Sequence, residues 1–180
     1  MAFDYFDKLS DDDQAIYRAS DAIIELNLPS VASAKPLVKE LKESLAGEKT
    51  AAVQRTCARL CQELCRQFKV EEVSVRVLAS RPSSAAGELH GLYIREEGRR
   101  PRITVWMRTA KKAKVVAFKT FLRTLLHEIL HHLDYSKFEM EESFHTEGFF
   151  KRESHLQRQL LGAKAAEDKP RPKGQIGFEF

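Results

Sequence analysis

The sequence predicts an α+β fold, with helices at both ends of the chain and a small β-sheet between them. Apolar residues recur at helical spacing in three runs before residue 68 and in two runs after residue 112. Between them, "VEEVSVRVLA" alternates valine with polar residues, which is typical of a half-buried strand. Because 180 residues with 43% hydrophobic content can bury one core, we predict a single domain over residues 1–162. Residues 10–68 would form its helical N-terminal part and residues 69–162 the core that carries the sheet.

Three helices are predicted in the N-terminal part. Ser10 and Asp13 form a capping-box pattern, so the first helix should begin there and continue to Pro29. Pro36 suits the first turn of a helix and Gly47 suits a helix end, so the second helix should lie between them. A third stripe of apolar residues at helical period covers residues 48–68.

The third helix contains the three cysteines of the chain, Cys57, Cys61 and Cys65, at every fourth position. Neighbours on one helix face do not suit a disulfide framework. Cys57 and Cys61 share a face with Leu60 and Leu64, so we interpret them as small buried hydrophobic residues. An iron–sulfur or zinc site at these cysteines is the weaker alternative.

Three strands and two helices are predicted in the core. After the valine-rich strand, "LHGLYIRE" and "RITVWMR" have strand composition, and "EGRRP" should join them into a hairpin. A long helix follows from about Lys112 to Tyr135, then a loop over residues 136–144 and a last helix over residues 146–161. Residues 163–180 are rich in proline, glycine and charge, so we predict a disordered tail.

The long helix contains "HEILH", in which His127, Glu128 and His131 form an HExxH pattern. A helix advances about 100° per residue, so the two histidines lie about 40° apart and both imidazoles can reach one metal ion. The leucines and the isoleucine of this helix lie on the opposite side, so we expect that side to pack against the core. Glu128 flanks the histidine edge, where its carboxylate could take a proton from a metal-activated water. The pattern therefore predicts a catalytic metal site.

A catalytic zinc site needs three protein ligands and one position open to water. His145 is the favoured third ligand, because the loop before the last helix can bring it back to the metal. Phe149 follows one turn later and would anchor that helix in the core. Glu147 and Glu153 in the last helix are the alternative third ligands.

Five further residues are candidates for supporting roles at this site. His132 points away from the two ligand histidines, so it could hydrogen-bond the neighbouring glutamate, line the cleft or be an ordinary surface residue. Asp134 lies near the ligand edge and could accept a hydrogen bond from a ligand imidazole. Tyr135, Arg152 and His155 are candidates for stabilising the oxyanion of the transition state.

The run "TLLHEILHHLDY" and the following "HTEGF", with thirteen residues between the second and third ligand histidines, resemble the SprT-like or Spartan group of small zinc metallopeptidases. In that group HExxH is followed by a third histidine that opens an HxxxF helix start. The strand "ITVWM" resembles the strand that the group places before its active-site helix. The resemblance covers about residues 88–160. Members commonly have HGPEF where this chain has "HTEGF", and many carry a zinc ribbon with CxxC motifs that this sequence lacks.

The resemblance implies a zincin-like core, in which the three-stranded sheet packs on the HExxH helix. It implies one Zn²⁺ ion held by His127, His131 and His145. Glu128 would be the general base, and the substrate would be a protein or peptide whose peptide bonds are hydrolysed by the metal-activated water.

Substrate peptides of zincins typically pair with the edge strand beside the cleft. The natural candidate for that strand is "RITVWMR", so we predict that Ile103, Val105 and Trp106 form the substrate-binding edge. A place for Trp106 in the core is equally compatible with the sequence.

Charge is distributed unevenly along the chain. Residues 1–30 carry seven acidic and two basic side chains, whereas residues 95–123 carry ten basic and two acidic ones. The basic segment could attract an anionic partner such as nucleic acid, or it could be a solvated face. The alternative function is therefore a non-catalytic, zinc-stabilised module on a protease scaffold that binds nucleic acid or protein through this segment.

The N-terminal sequence "MAFDYFDKLSDDDQ" lacks the basic and apolar stretches of a signal peptide. The chain also has no run of eighteen apolar residues, the minimum for a membrane-spanning helix. We therefore expect a cytoplasmic protein without a membrane partner.

Overall fold

The computed structural model describes residues 3, 5–85 and 87–162 of the chain, and the tail predicted over residues 163–180 lies outside these described residues. Helices and strands are both present, which confirms the α+β class. No helix of the described part is long and apolar enough to cross a membrane. In chain order the elements are a 3-10 turn at Phe6–Lys8, α1 Asp11–Ala22, α2 Val31–Ala46, α3 Thr50–Phe68, β1 Ser74–Ser80, β2 Ser83–Ser84, β3 Gly87–Glu88, β4 Gly91–Ile94, β5 Arg102–Arg108, α4 Phe118–Ser136 and α5 Glu147–Leu161.

The three-stranded sheet has the order β1-β5-β4. β4 and β5 form the predicted antiparallel hairpin, with Gly91 opposite Val105. β1 pairs in parallel with the other side of β5, with Val77 opposite Val105. β2 and β3 form a separate two-stranded sheet. The central strand of the larger sheet is therefore β5, and β1 and β4 are its outer strands.

The prediction that β5 is the substrate-binding edge is wrong. β5 pairs with β4 on one side and with β1 on the other, so neither of its sides is free for a peptide. Ile103 and Val105 are fully buried, and Trp106 is 7% exposed and pairs with Leu78. All five residues from 103 to 107 are buried. A continuous buried run is typical of a strand covered on both faces, whereas alternation is typical of a half-exposed one.

Helix α1 ends at Ala22, well before the predicted end at the following proline. The chain after it binds to α5 through its backbone. The N–H of Leu26 donates to Nδ1 of His155 at 3.1 Å, and Gln159 bridges both sides of this segment by donating to the carbonyl of Leu26 and accepting from the N–H of Leu28. These tertiary hydrogen bonds replace the helical ones that the apolar spacing predicted.

Two other helix starts differ from prediction. α2 begins at Val31, because the hydroxyl of Ser30 caps it, and Pro36 therefore lies inside the helix rather than in its first turn. α4 begins at Phe118, several residues after the predicted start. The preceding segment instead continues along β5, where the N–H of Val116 donates to the carbonyl of Met107 at 2.7 Å.

The cysteines confirm the structural interpretation. Cys57, Cys61 and Cys65 are buried and free, and they belong to the apolar core. Burial raises the pKa of Cys57 to about 12, so its thiol stays protonated at neutral pH. The three side chains therefore act as small hydrophobic residues of α3.

The apolar face of α4 fixes how the helix is rotated. α4 packs against β4 and β5 on one side and against α5 on another, and α5 also contacts α1 and α2. Burying a leucine side chain stabilises a fold by about 1.5–3 kcal/mol, so a fully buried face strongly disfavours any other rotation. As a consequence, His127 and His131 lie on the side of α4 that is turned away from its buried apolar face. The fully buried residues of this face are Leu122, Leu125, Leu126, Ile129, Leu130 and Leu133.

Candidate metal centre

Three imidazoles converge at the junction of α4 and α5. Nε2 of His127 lies 2.9 Å from Nε2 of His145 and 3.3 Å from Nε2 of His131. Nε2 of His131 and Nε2 of His145 are 3.1 Å apart. Nitrogens that bind zinc tetrahedrally at about 2.0–2.1 Å lie roughly 3.3 Å from one another. The three side chains, which are partly buried, therefore form a cluster that could hold one metal ion.

The sequence "HTEGF" places the third histidine. Thr146 caps α5, since its hydroxyl accepts from the N–H of Phe149 at 2.9 Å, and His145 immediately precedes the cap. The Phe149 ring is fully buried beneath the cluster, with its centroid 4.9 Å from the His131 ring and 5.0 Å from the His127 ring. The predicted anchoring role of Phe149 is confirmed. The cap and this ring together hold His145 over the two histidines of α4.

Glu153 forms a hydrogen bond with His127 and is not itself part of the histidine cluster. Nδ1 of His127 lies 2.7 Å from Oε2 of Glu153, whose side chain is fully buried and also forms an ion pair with Arg123. A carboxylate only accepts hydrogen bonds, so Nδ1 carries the proton and Nε2 presents its lone pair to a metal. Glu153, offered by the sequence as an alternative third ligand, instead forms a hydrogen bond with a histidine of the cluster. Glu147, the other alternative, forms an exposed ion pair with Lys151.

Ser143 forms a hydrogen bond with His131, the second histidine of the cluster. Nδ1 of His131 lies 2.7 Å from the hydroxyl of Ser143, which donates to Oδ2 of Asp134 at 2.7 Å. The sequence suggested a direct hydrogen bond between Asp134 and an imidazole of the site. In the structure Asp134 contacts the His131 imidazole only through Ser143. Sequence reasoning missed Ser143, because a loop residue carries no periodic signal that would place it beside α4.

The electrostatics around His131 favour its neutral imidazole. Burial, together with the neighbouring His127 and His145, lowers the pKa of His131 well below its ordinary value. A neutral imidazole is the form that binds a metal. Burial raises the pKa of Asp134, although Arg152 beside it acts in the opposite direction. His131 is therefore ready to accept a cation without first losing a proton at neutral pH.

The carboxylate of Glu128 lies against the backbone of β4. Glu128 is 5% exposed, and a Cβ atom added to Gly91 would lie 2.2 Å from its Oε1 atom. Only glycine leaves room for the carboxylate at this position. Sequence reasoning missed Gly91, although a glycine in a strand often marks the close approach of another group.

His132 has a structural role. It is fully buried, its Nε2 lies 2.9 Å from the carbonyl oxygen of Glu71, and its Nδ1 lies 3.1 Å from the hydroxyl of Tyr93. Because both nitrogens have these partners, the hydrogen bond expected between His132 and Glu128 is not formed in the described structure. His132 instead ties α4 to the segment before β1.

Two of the three oxyanion candidates point elsewhere. Arg152 is fully buried and donates to the carbonyl of Ile23 at 2.7 Å, so it faces α1. His155 accepts from the backbone after α1. Their expected roles at the transition state are therefore wrong. Tyr135 is partly buried, and its ring stacks on Tyr93, whose ring stacks in turn on that of His131.

The basic segment of residues 95–123 is partly neutralised in the fold. At least four of its ten basic side chains form ion pairs with acids, and three of those acids lie outside the segment: Glu48 after α2, Glu72 before β1 and Glu153 in α5. Arg95 covers the ring of Tyr135 at 5.0 Å. Lys111, Lys112 and Lys114 are exposed together in the turn after β5. Nucleic-acid binding through this segment stays a prediction, on a smaller positive surface than the sequence suggested.

Comparisons with protein-family models, with curated proteins and with solved structures give no significant match to this chain. The resemblance to the SprT-like group stays a prediction that rests on the motif residues.

Proposed function

We propose that this protein is a zinc-dependent metallopeptidase of the SprT-like type, with a zincin-like core, that hydrolyses peptide bonds of a protein substrate. The observation that carries the proposal is the convergence of three Nε2 atoms, two of them from α4, the helix that also carries the buried Glu128. Three histidines around one ion leave a fourth position for water, which is the arrangement of catalytic zinc sites.

The three histidine donors support zinc as the proposed metal. His127 and His131 each bind a hydrogen-bond acceptor through Nδ1, which leaves Nε2 for the metal. Imidazole donors in a three-nitrogen set suit zinc better than calcium or magnesium, which prefer oxygen. The orienting hydrogen bonds also add to the affinity of such a site.

Glu128 is the general base of the proposed reaction. When bound, zinc lowers the pKa of water towards about 7 and polarises the carbonyl of the scissile bond. Glu128 takes the proton of the attacking water on a carboxylate oxygen and gives it to the leaving amine. Its burial against Gly91 supports this role, because the carboxylate is held at one place with little solvent around it.

The substrate lies along β4 in this proposal. β4 is an outer strand of the three-stranded sheet, and its first residue, Gly91, touches the carboxylate of Glu128. An extended peptide that adds to an outer strand is held by backbone hydrogen bonds, whatever its side chains. β4 thus takes the place that the sequence assigned to β5.

Tyr135 is the oxyanion-stabilising candidate that the proposal keeps. Its ring belongs to the stack of Tyr93 and His131, and its hydroxyl lies 3.4 Å from Oε2 of Glu142 in the loop before His145. Arg152 and His155 are excluded from this role by their contacts with the chain around and after α1.

The Glu128→Gln variant tests the proposal against a non-catalytic zinc module. We expect the variant to bind one zinc ion per chain, as the wild type does, and to lose hydrolysis of an unfolded protein such as casein. Metal analysis and gel-based proteolysis measure the two properties on the same samples. Hydrolysis that survives the substitution at full rate would refute the mechanism, and zinc binding without hydrolysis in the wild type would favour the non-catalytic module.

A further inference from the structure

Arg152 joins three parts of the fold inside the protein. Its Nη1 atom donates to the carbonyl oxygens of Ser20 at 2.6 Å and Ile23 at 2.7 Å, at the end of α1. Its Nη2 atom donates to Oδ1 of Asp134 on α4 at 2.8 Å and to the hydroxyl of Ser20 at 3.2 Å. The last carbonyls of a helix have few partners within it, so the guanidinium adds donors at the end of α1.

A chain of three hydrogen bonds leads from this arginine to a histidine of the cluster. Arg152 donates to Asp134, Asp134 accepts from Ser143, and the Ser143 hydroxyl lies 2.7 Å from Nδ1 of His131. Arginine can only donate and a carboxylate can only accept. The Ser143 hydroxyl therefore gives its proton to Asp134 and accepts from Nδ1–H of His131. With the proton of His131 on Nδ1, its free lone pair is on Nε2, the atom that faces the other two histidines.

Helix α1 is fitted closely to the first turn of α5. The N–H of Gly148 donates to Oδ1 of Asp21 at 2.8 Å. A Cβ atom added to Gly148 would lie 2.3 Å from the carbonyl oxygen of Asp21 and 2.7 Å from that of Ser20. The same end of α1 therefore packs beside His145 and holds Arg152.

We propose that Arg152 is a positioning residue of the metal centre, and that the affinity of the centre for zinc depends on the docking of α1 against α5. This inference rests on the zinc site of the proposed function. Arg152, Asp134 and Ser143 form a relay that orients His131, and α1 holds the relay in place through its terminal carbonyls. Since coupling between two events is reciprocal, zinc binding also stabilises the docking of α1.

Ser143→Ala tests the relay with a small change. Loss of a hydrogen bond to a ligand imidazole commonly weakens metal binding by about 10–100-fold, and we expect a loss in this range in competition with a chelator. The absorption spectrum of the Co²⁺-loaded variant should shift, because the His131 ring is no longer held. Ser143→Thr keeps the hydroxyl and should restore both properties, while Ser154→Ala on α5 is the control. Wild-type affinity and an unchanged Co²⁺ spectrum in Ser143→Ala would overturn the relay.

Gly148→Ala tests the contribution of α1. The added methyl group meets backbone oxygens of α1, so we expect faster amide hydrogen exchange in residues 11–23 and at least about tenfold weaker zinc binding. Gly47→Ala is the matched control, because its Cβ would meet only ordinary contacts, at 3.5 Å or more. In the wild type, added zinc should slow exchange in residues 11–23. Unchanged zinc affinity in Gly148→Ala, with or without faster exchange, would overturn the dependence on α1.

These measurements separate the inference from the proposed function. A wild-type protein that binds no zinc would refute both. Zinc binding without hydrolysis would refute the peptidase alone, since the affinities of the variants can still be compared. Zinc binding and hydrolysis in the wild type, with equal affinity in Ser143→Ala and Gly148→Ala, would refute the positioning role alone.

Discussion

Nε2 of His127 and Nε2 of His145 lie 2.9 Å apart, although the two residues are 18 positions apart in the chain. The contact joins the middle of α4 to the residue before the cap of α5. Two unprotonated nitrogens at this distance repel each other unless a proton or a cation lies between them. The three imidazoles are therefore placed so that they could share one cation.

Removal of the third imidazole should abolish tight zinc binding. We expect His145→Ala to bind zinc more than about 100-fold more weakly than the wild type, because even hydrogen bonds around a metal ligand contribute 10–100-fold. Glu147→Gln is the control, since the sequence offered Glu147 as an alternative ligand and it forms an exposed ion pair. Chelator competition measures the affinity. Equal zinc binding by His145→Ala would overturn the assignment of the three ligands.

Neutralising the acceptor behind His127 should weaken the centre without dismantling it. In Glu153→Gln an amide replaces the carboxylate that lies 2.7 Å from Nδ1 of His127, so the imidazole becomes a poorer electron donor. We expect about 10–100-fold weaker zinc binding and retained helix content by circular dichroism. Glu40→Gln, which breaks an ion pair with Arg59 between α2 and α3, serves as the comparison. If both variants bind zinc alike, Glu153 does not support the ligand.

The fold class could be predicted because strand and helix periods are local properties of the sequence. The β4–β5 hairpin is local as well, and it was predicted correctly. The central position of β5 depends on its pairing with β1, which lies earlier in the chain with β2, β3 and β4 between them. The end of α1 depends on His155 and Gln159, which are far along the chain. Strand order and the end of a helix are set here by tertiary contacts, which the periodicity of the local sequence does not record.

The residues of the candidate site also fall into two groups, those predictable from the local sequence and those that depend on tertiary packing. His127 and His131 follow from the geometry of one helix, and His145 from the length of the loop that returns to it. Glu153 and Ser143 reach the cluster from α5 and from the loop before it, so their roles required the packing of those elements on α4. Arg152 was placed near the cluster by helical spacing alone. Its guanidinium instead donates to the carbonyls at the end of α1 and to Asp134, partners that only the packing of α1 and α4 against α5 brings within reach.

Filling the space beside Glu128 should reduce catalysis and leave zinc binding intact. In Gly91→Ala the new methyl group would lie 2.2 Å from Oε1 of Glu128 and 2.8 Å from Cγ2 of Thr124, so the carboxylate must move. A displacement of about 1 Å at a reacting group can lower a rate about 100-fold, and we expect a loss of kcat/KM of this order. Zinc content measured on the same sample should match the wild type. Gly47→Ala controls for the change from glycine to alanine, and full activity in Gly91→Ala would contradict the placement of the general base.

Protonation of His132 should destabilise the fold at acidic pH. Burial lowers the pKa of His132 below its ordinary value of 6.5, so the folded protein holds this ring neutral while the unfolded chain takes up a proton more readily. The stabilising contribution is therefore fully present above about pH 6.5 and is lost as the pH falls from there through the folded-state pKa. The cause is visible in the contacts, because Nδ1 lies 3.1 Å from the Tyr93 hydroxyl and a protonated ring could no longer accept from it.

Urea unfolding at pH 7.5 and pH 5.5, with a chelator present, measures this effect. The wild type should lose more free energy of unfolding between the two values than His132→Gln, whose amide does not titrate. The chelator removes any metal, so the ligand histidines contribute equally to both proteins and cancel in the comparison. An equal loss in the two proteins would mean that His132 is not held neutral by the fold.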